Sequence, residues 1–466
     1  MKRVITLLFA SFLILSTVIT AFCRDNVPPS QNPPGNLPPQ AVPQFVVLGF
    51  DDQKDKAPMQ WVVDMFAGKT NPAGNGQSAT FDGTPARVAF YTSTVYLNDK
   101  HALHKSAYEN GHEMGNHTHT HCTAFTTPES CWKTEIQQCT DSLVSTGIPE
   151  SAIKGFRTPF LQYNNGTFKA MVSLGFVYDC SIEEGFQPDQ KGGDFFWPYT
   201  LDNGSPGNKL FAVDWMVPGH TLLESYPGHW EMPCYVTIIP PDEKCAEYGL
   251  QPGLRARIAN KLDYFDTTDG KITGLDYNLL YEAALDGEEM GAVMCYNLDL
   301  FYNGNRAPMD FGLHSNYYNT TDRKAGLEKF VDYALSKPDV RIVPPLKVIE
   351  WMRNPVPLHP TGGKENPLSS QSCQKPVVKG LYGNNLHLSV PVAGKYIIAL
   401  YTLTGREVLS VSRNIPASSY VIVNLNPHKM LSTNSYIVCI IGNGSSIQDK
   451  LAHFSPAFFP GGKLIN

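Results

Sequence analysis

The stretch HEMGNHTHTH, residues 112–121, gathers four histidines and a glutamate into ten residues of a chain that has 13 histidines in all. Imidazoles at this density are candidates for a transition-metal site, and their spacing decides which one. A zincin helix is excluded, because after His112 and Glu113 the partner histidine would fall at position 116, which is Asn116. On a strand, His117, His119 and His121 would share one face and form a three-histidine site. On a helical turn, His117 and His121 lie one above the other at i, i+4, and His119 points elsewhere. Gly115 and Asn116 read as loop residues after a short strand, and Thr118 and Thr120 can serve the free amides of a turn, so the context favours the turn and the pair. Two imidazoles do not complete a zinc site, and the missing ligand is expected to be a carboxylate or a third nitrogen from a neighbouring strand end.

The most apolar run of the chain, FVVLGF at 45–50, ends in Asp51 and Asp52. Adjacent acids also simply start loops or cap helices. At the C-terminal mouth of a barrel strand, however, they sit where barrel enzymes carry their chemistry, and because successive side chains diverge, one can bind metal while the other faces the substrate.

The elements that must position these groups are short apolar runs: ARVAFY (86–91), HEM (112–114), IKGF (153–156), FVYD (176–179), GAVMCYN (291–297) and DFGLH (310–314) join 45–50 as expected buried strands. Helices read between several of them, one opened by Thr127, Pro128 and Glu129 and closed by Gly147, another from Gly166 to Gly175. Alternating strands and helices mean parallel pairing with right-handed crossovers, so the expected class is α/β, an α/β barrel or a doubly wound sheet. Residues 185–290 break the rhythm and read as loops or an insertion.

Composition divides the rest. Lys2 and Arg3 followed by an apolar run to Phe22 have the layout of a secretory signal over 1–23, with Cys23 as a possible lipidation site. Residues 24–43 are a proline-rich linker expected to be extended and unpacked. The main domain then covers 44–357, a second linker 358–376, and 377–466 alternate polar and apolar residues as a small antiparallel β-sandwich does. Ten cysteines fit an oxidising compartment, with Cys234–Cys245 the expected disulfide. A net charge of −6 argues against nucleic acid as a partner. A monomer is expected.

Ordered short motifs carry a resemblance over residues 45–357. FDD at 50–52, NHTHTH at 116–121, RTPF at 157–160 and LH at 313–314 resemble motifs of the metal-dependent polysaccharide deacetylases of carbohydrate esterase family 4. The LH motif follows NRAP at 305–308, and WPYTL at 197–201 and WEMP at 230–233 are similar to stretches of the chitin-deacetylase-like branch. The resemblance implies a distorted (β/α) barrel in which Asp52, His117 and His121 hold a divalent ion, usually zinc. It further implies Asp51 as general base, Arg157 as its orienting charge, the Phe160 amide as an oxyanion donor and His314 as the acid for the departing amine. Trp197, Trp230 and Tyr317 are candidate sugar-contacting aromatics, with Tyr199, Trp215 and Tyr318 behind them.

Three departures stand out: Gly49 and Gly312 replace larger residues of the family pattern, and Phe160 replaces a frequent Tyr. The acid that tunes the catalytic histidine has no clear counterpart, with Asp179 and Asp214 as weak candidates. The expected activity is deacetylation of N-acetylglucosamine polymers, chitin first and peptidoglycan next. O-deacetylation of xylan and a non-catalytic carbohydrate-binding role on the same scaffold are the alternatives. Adjacent acids pointing apart do not make a retaining glycosidase pair. The C-terminal GKYIIALYTLTGREVLSV resembles sorting domains of type IX secretion substrates, which implies secretion machinery as a partner and a secreted or cell-surface location.

Overall fold

The continuous apolar run after Gln44 forms strand β1 (Gln44–Asp52), buried along its whole length, as a strand covered on both faces must be. The computed structural model describes residues 25–123 and 125–358 and, beyond them, the strands between Val377 and Ile465. One compact unit runs Asp25–Lys364, and Glu365–Asn466 belongs to another.

In the first unit strand and helix alternate: α1 (Lys56–Ala67), β2 (Ala89–Thr92), α2 (His101–Glu109), β3 (Glu113–Asn116), α3 (Glu129–Ser145), β4 (Gly155–Phe156), α4 (Asn165–Ser173) and β5 (Tyr178–Asp179). The chain then passes through short pieces, β6 (Glu183–Glu184), β7 (Tyr199–Thr200), α5 (Pro206–Lys209), β8 (Trp230–Glu231), β9 (Cys234–Tyr235), β10 (Thr237–Ile238), α6 (Asp242–Cys245), α7 (Leu254–Ala259) and β11 (Lys271–Ile272). It resumes long elements with α8 (Gly287–Asn303), β12 (Met309–His314), α9 (Thr321–Ser336), β13 (Val340–Ile342) and α10 (Pro345–Arg353). The main sheet runs β12-β1-β2-β3-β4-β5-β8-β7 with β13 also on β1, and every pair is parallel except β7 on β8. This is a curled, barrel-like α/β sheet wrapped by helices, the class that the alternation predicts.

Register explains why the candidate residues meet. Asp51 is level with His314 across β1 and β12, Asp52 with Thr92, Thr92 with Asn116, and Asn116 with Phe156. Asp51, Asp52, His117, Arg157 and His314 therefore all stand at or just past the C-terminal ends of four parallel strands, β12, β1, β3 and β4.

Three expectations change. GAVMCYN is not a strand but the middle of α8, where residues 290–298 are all buried. A short apolar run has no amphipathic period to separate helix from strand, and here the capping box of Asp286 with Glu289 sets a 17-residue helix. The proline-rich residues 25–43 are not a free linker. They lie as a strap on the domain, with Asp25 accepting from the Trp230 indole at 2.7 Å and pairing with Arg353, and with Val42 fully buried. Cys234 and Cys245 are both free thiols, as are the other described cysteines. Cys234 sits in β9 beside β6, Cys245 in α6, and each is buried in the core as a small apolar residue would be.

In the second unit two sheets form, β14 (Val377–Tyr382), β15 (Asn385–Val390), β18 (Ser418–Asn424), β21 (His453–Phe454) and β22 (Lys463–Ile465) in one, β16 (Gly394–Thr402), β17 (Glu407–Ile415), β19 (Tyr436–Gly442) and β20 (Ser445–Leu451) in the other. Leu386, Leu388, Tyr396, Ile398, Leu400, Ile415, Val423 and Ile440 make its core. The GKYIIALYTLTGREVLSV segment is the antiparallel pair β16 and β17. The expected signal segment with Cys23, residue 24 and the linker from residue 359 lie outside the described residues.

Candidate active site

The histidine loop is built around Asn116, the last residue of β3. Its side-chain oxygen accepts from the Thr118 amide at 2.9 Å, and its amide donates to the Ile136 carbonyl at 2.8 Å. Glu135 of α3 then accepts from the amides of His119 at 3.0 Å and Thr120 at 2.8 Å. These bonds replace the helical turn that the sequence suggested. The segment is a loop, with Thr118 at φ 66° and His121 at φ 57°. The pairing of His117 with His121 survives, their rings 5.1 Å apart, while His119 turns away to Thr94 at 2.9 Å.

Asp52 closes on the same point. His121 Nε2 lies 3.2 Å and His117 Nε2 3.9 Å from Asp52 Oδ1, and the three donor atoms are all within 4.8 Å of one another. The set fits a divalent ion on chemical grounds as well. His117 Nδ1 donates to the Arg157 carbonyl at 2.7 Å, which leaves its Nε2 lone pair facing Asp52. Asp52 Oδ1 is buried without a hydrogen-bond partner, while Oδ2 pairs with Lys54 at 2.9 Å. Burial followed by the His117 charge pushes His121 down to about 4, so it is a neutral donor at pH 7. Burial works against ionisation of Asp52, but His117, His121, His314 and Lys54 outweigh it and hold the carboxyl below its ordinary value.

Asp51, the neighbour on the same strand, accepts from Arg157 Nη1 at 3.0 Å. Arg157 is fully buried, its guanidinium 4.6 Å from the centre of the Tyr91 ring, its Nε on the Cys180 carbonyl and its Nη2 3.6 Å from Asp310. Burial opposes its charge, yet Asp51 above all, with Asp310 beyond it, holds it protonated. Gly49 is explained by this packing. A Cβ there would stand 2.8 Å from Tyr91 and 3.0 Å from both terminal guanidinium nitrogens, so the larger residue of the family pattern has no room.

On the opposite side His314 Nδ1 meets Asp276 Oδ1 at 2.7 Å, and its backbone amide donates to Oδ2 at 2.7 Å. Burial opposes protonation of His314, but Asp276 outweighs it and raises the imidazole above its usual value. Gly312 is what admits this acid. A Cβ on Gly312 would lie 2.0 Å from Leu275 Cδ2, and Leu275 bridges to Gly312 one residue before Asp276. Sequence reasoning missed Asp276 because it sits in the loop-rich stretch left unfolded. Asp179 instead accepts from Ser181 at 2.8 Å, and Asp214 is exposed.

Asp51, Asp52, Lys54, His117, His121, Phe160 and His314 line one cleft of about 440 Å³ together with Tyr277 and Tyr317. Phe160 is 59% exposed and sets its ring edge on His121 at 4.7 Å. Asp52 (φ 71°) and Phe160 (φ 58°) join Thr118 and His121 in the left-handed region. Each such non-glycine residue costs on the order of 1–3 kcal/mol, and their concentration at one cleft is the strain pattern of a functional site. Trp197 and Trp230 do not reach it. Trp197 is core, stacked on Trp351, and Trp230 is fully buried, and both contact the N-terminal strap, Trp197 through its amide to the Ser30 carbonyl and Trp230 through its indole to Asp25. Tyr199 and Tyr318 are likewise buried, and Trp215 is exposed beside Phe186 and Phe211.

A curled parallel sheet thus carries a two-histidine, one-aspartate cluster at its strand ends, and residues 78–178 match the family model described as polysaccharide deacetylase. Chitin deacetylase 8 of Bombyx mori is 26% identical over 340 residues, covering 71% of this chain and 75% of the relative. Chitin deacetylase 1 of the same species is 23% identical over 337 residues, 69% of this chain and 53% of the relative. A solved family 4 carbohydrate esterase from Streptomyces lividans, in complex with acetate, is 18% identical at a TM-score of 0.23, covering 29% of this chain and 61% of that one.

Replacing Asp276 by Asn removes the negative charge that favours protonated His314, so the imidazole pKa should fall. An activity that needs His314 protonated then loses its alkaline limb at lower pH than the wild type. The check is the pH profile of kcat/KM, and an unmoved limb would count against the pairing as a functional device.

Proposed function

We propose that this protein is an exported, metal-dependent deacetylase that hydrolyses the acetamides of N-acetylglucosamine polymers. The observation that carries the reading is the arrangement of one cleft: an Asp–His–His cluster with an Arg-held aspartate on one side and an Asp-held histidine on the other. Asp52 Oδ1 and the Nε2 atoms of His117 and His121 would hold the ion, with zinc the expected metal for this nitrogen-rich set. When bound, it supplies Lewis acidity that polarises an acetyl carbonyl and makes a water acidic near neutral pH.

The chain's own groups do the rest. Asp51 takes the proton of the attacking water, and the Arg157 contact fixes its orientation. The Phe160 amide donates to the oxygen on which charge develops. His314, protonated with the help of Asp276, gives its proton to the departing amine, so the poor leaving group departs neutral. The curated relatives are named as chitin deacetylases, which supports an amide of chitin-like polymers ahead of the esters of acetylxylan. The N-terminal charge and apolar pattern supports export, and the C-terminal sandwich is read as a sorting or anchoring module.

The test is acetate release from N-acetylchito-oligosaccharides and from acetylxylan, with and without chelator. Release from the first, abolished by chelator and restored by zinc, is expected. Release from xylan alone overturns the amidase reading, and release that ignores the chelator overturns the metal.

A further inference from the structure

Beyond the reacting groups, Tyr277 and Tyr281, which none of the roles above uses, continue a row of tyrosines that starts at Tyr317. Tyr317 stacks on the His314 ring at 4.5 Å and 27°. Tyr281 sets against Tyr317 at 4.8 Å, and Tyr277 against Tyr281 at 5.8 Å. Large aromatic rings are usually buried, yet Tyr277 is 45% and Tyr281 47% exposed. They are also held in place. The Arg323 guanidinium lies 4.8 Å from the centre of the Tyr281 ring, donates to its hydroxyl at 2.9 Å and to the Tyr317 carbonyl at 3.2 Å. Leu275 and the buried Asp276 fix the near end of the same segment against β12. A pinned, half-exposed aromatic row that begins at the proton donor gives pyranose rings flat apolar faces to lie on, at little entropic cost because the side chains are already ordered.

We infer that Tyr277 and Tyr281, steadied by Arg323, form a sugar-binding platform that holds the residues of a polysaccharide next to the one being deacetylated. This deepens the deacetylase reading and rests on it for the direction of the chain. The substrate class it implies is an oligomer or polymer longer than a disaccharide, gripped on the His314 side of the cleft.

The experiment compares kcat/KM for N-acetylated chitobiose and chitotetraose in the wild type, Tyr281→Ala and Tyr281→Phe. The tetramer-to-dimer ratio should fall roughly tenfold in Tyr281→Ala and hold in Tyr281→Phe, which keeps the ring. An equal loss on both lengths, or none, overturns the platform. Calorimetric binding of chitotetraose separates the two readings: if no acetate is released from either oligomer but the wild type binds the tetramer and Tyr281→Ala does not, the platform stands and the deacetylase reading falls. Equal tetramer binding by both proteins overturns the platform.

Discussion

Asp51→Asn is expected to lower kcat by about 10²–10⁴ while leaving metal affinity close to that of the wild type. Asn keeps the size and hydrogen-bonding reach of the side chain but cannot accept the proton of an attacking water. The substitution also leaves Arg157, fully buried, facing a neutral group on that side, with Asp310 3.6 Å away as its remaining charged neighbour. Asp310 is itself pushed up to about 7, by burial above all, although Arg157 pulls it down. Some loss of stability should therefore accompany the loss of rate. Steady-state kinetics on an acetylated chito-oligosaccharide, with a melting curve and zinc titration on the same variant, separates these effects. Wild-type kcat in Asp51→Asn would remove Asp51 from the chemistry.

The second large effect belongs to Asp52. Its Oδ1 is the buried oxygen that both imidazoles approach, so Asp52→Ala should weaken zinc binding by more than about 10²-fold, beyond what the loss of an outer supporting group costs. A readout independent of catalysis follows from linkage. An ion that binds only the folded protein raises its melting temperature, so zinc should stabilise the wild type and leave Asp52→Ala unmoved. His121→Ala should behave likewise, whereas His119→Ala should not, because His119 faces Thr94. Equal stabilisation of wild type and Asp52→Ala by zinc would place the ion elsewhere.

Much of the site was legible because its donors sit at the ends of short apolar runs, and a strand end is a local property. The run at 45–50 had to be buried, so the two acids after it had to stand at the C-terminal end of its strand. The histidines after HEM followed the same logic. Which imidazoles converge was also readable from spacing, although the backbone that brings them together was not. A helical turn and a loop with two left-handed residues both place His117 beside His121, and the choice between them is made by Glu135 and Thr140, which reach the segment from α3.

The sequence alone determined the chemical types at the cleft, their order along the chain and the strand–helix alternation that lines them up, because each depends on neighbours within a few residues. Tertiary structure alone decided that Asp276 supports His314 from 38 positions away, that Gly49 and Gly312 are spaces already filled by Arg157 and Leu275, and that Trp197 and Trp230 are core. It also decided that GAVMCYN coils into a helix and that the proline-rich strap packs. Those outcomes turn on which distant surface covers a residue, and burial by a remote segment leaves no period or spacing in the chain that it covers.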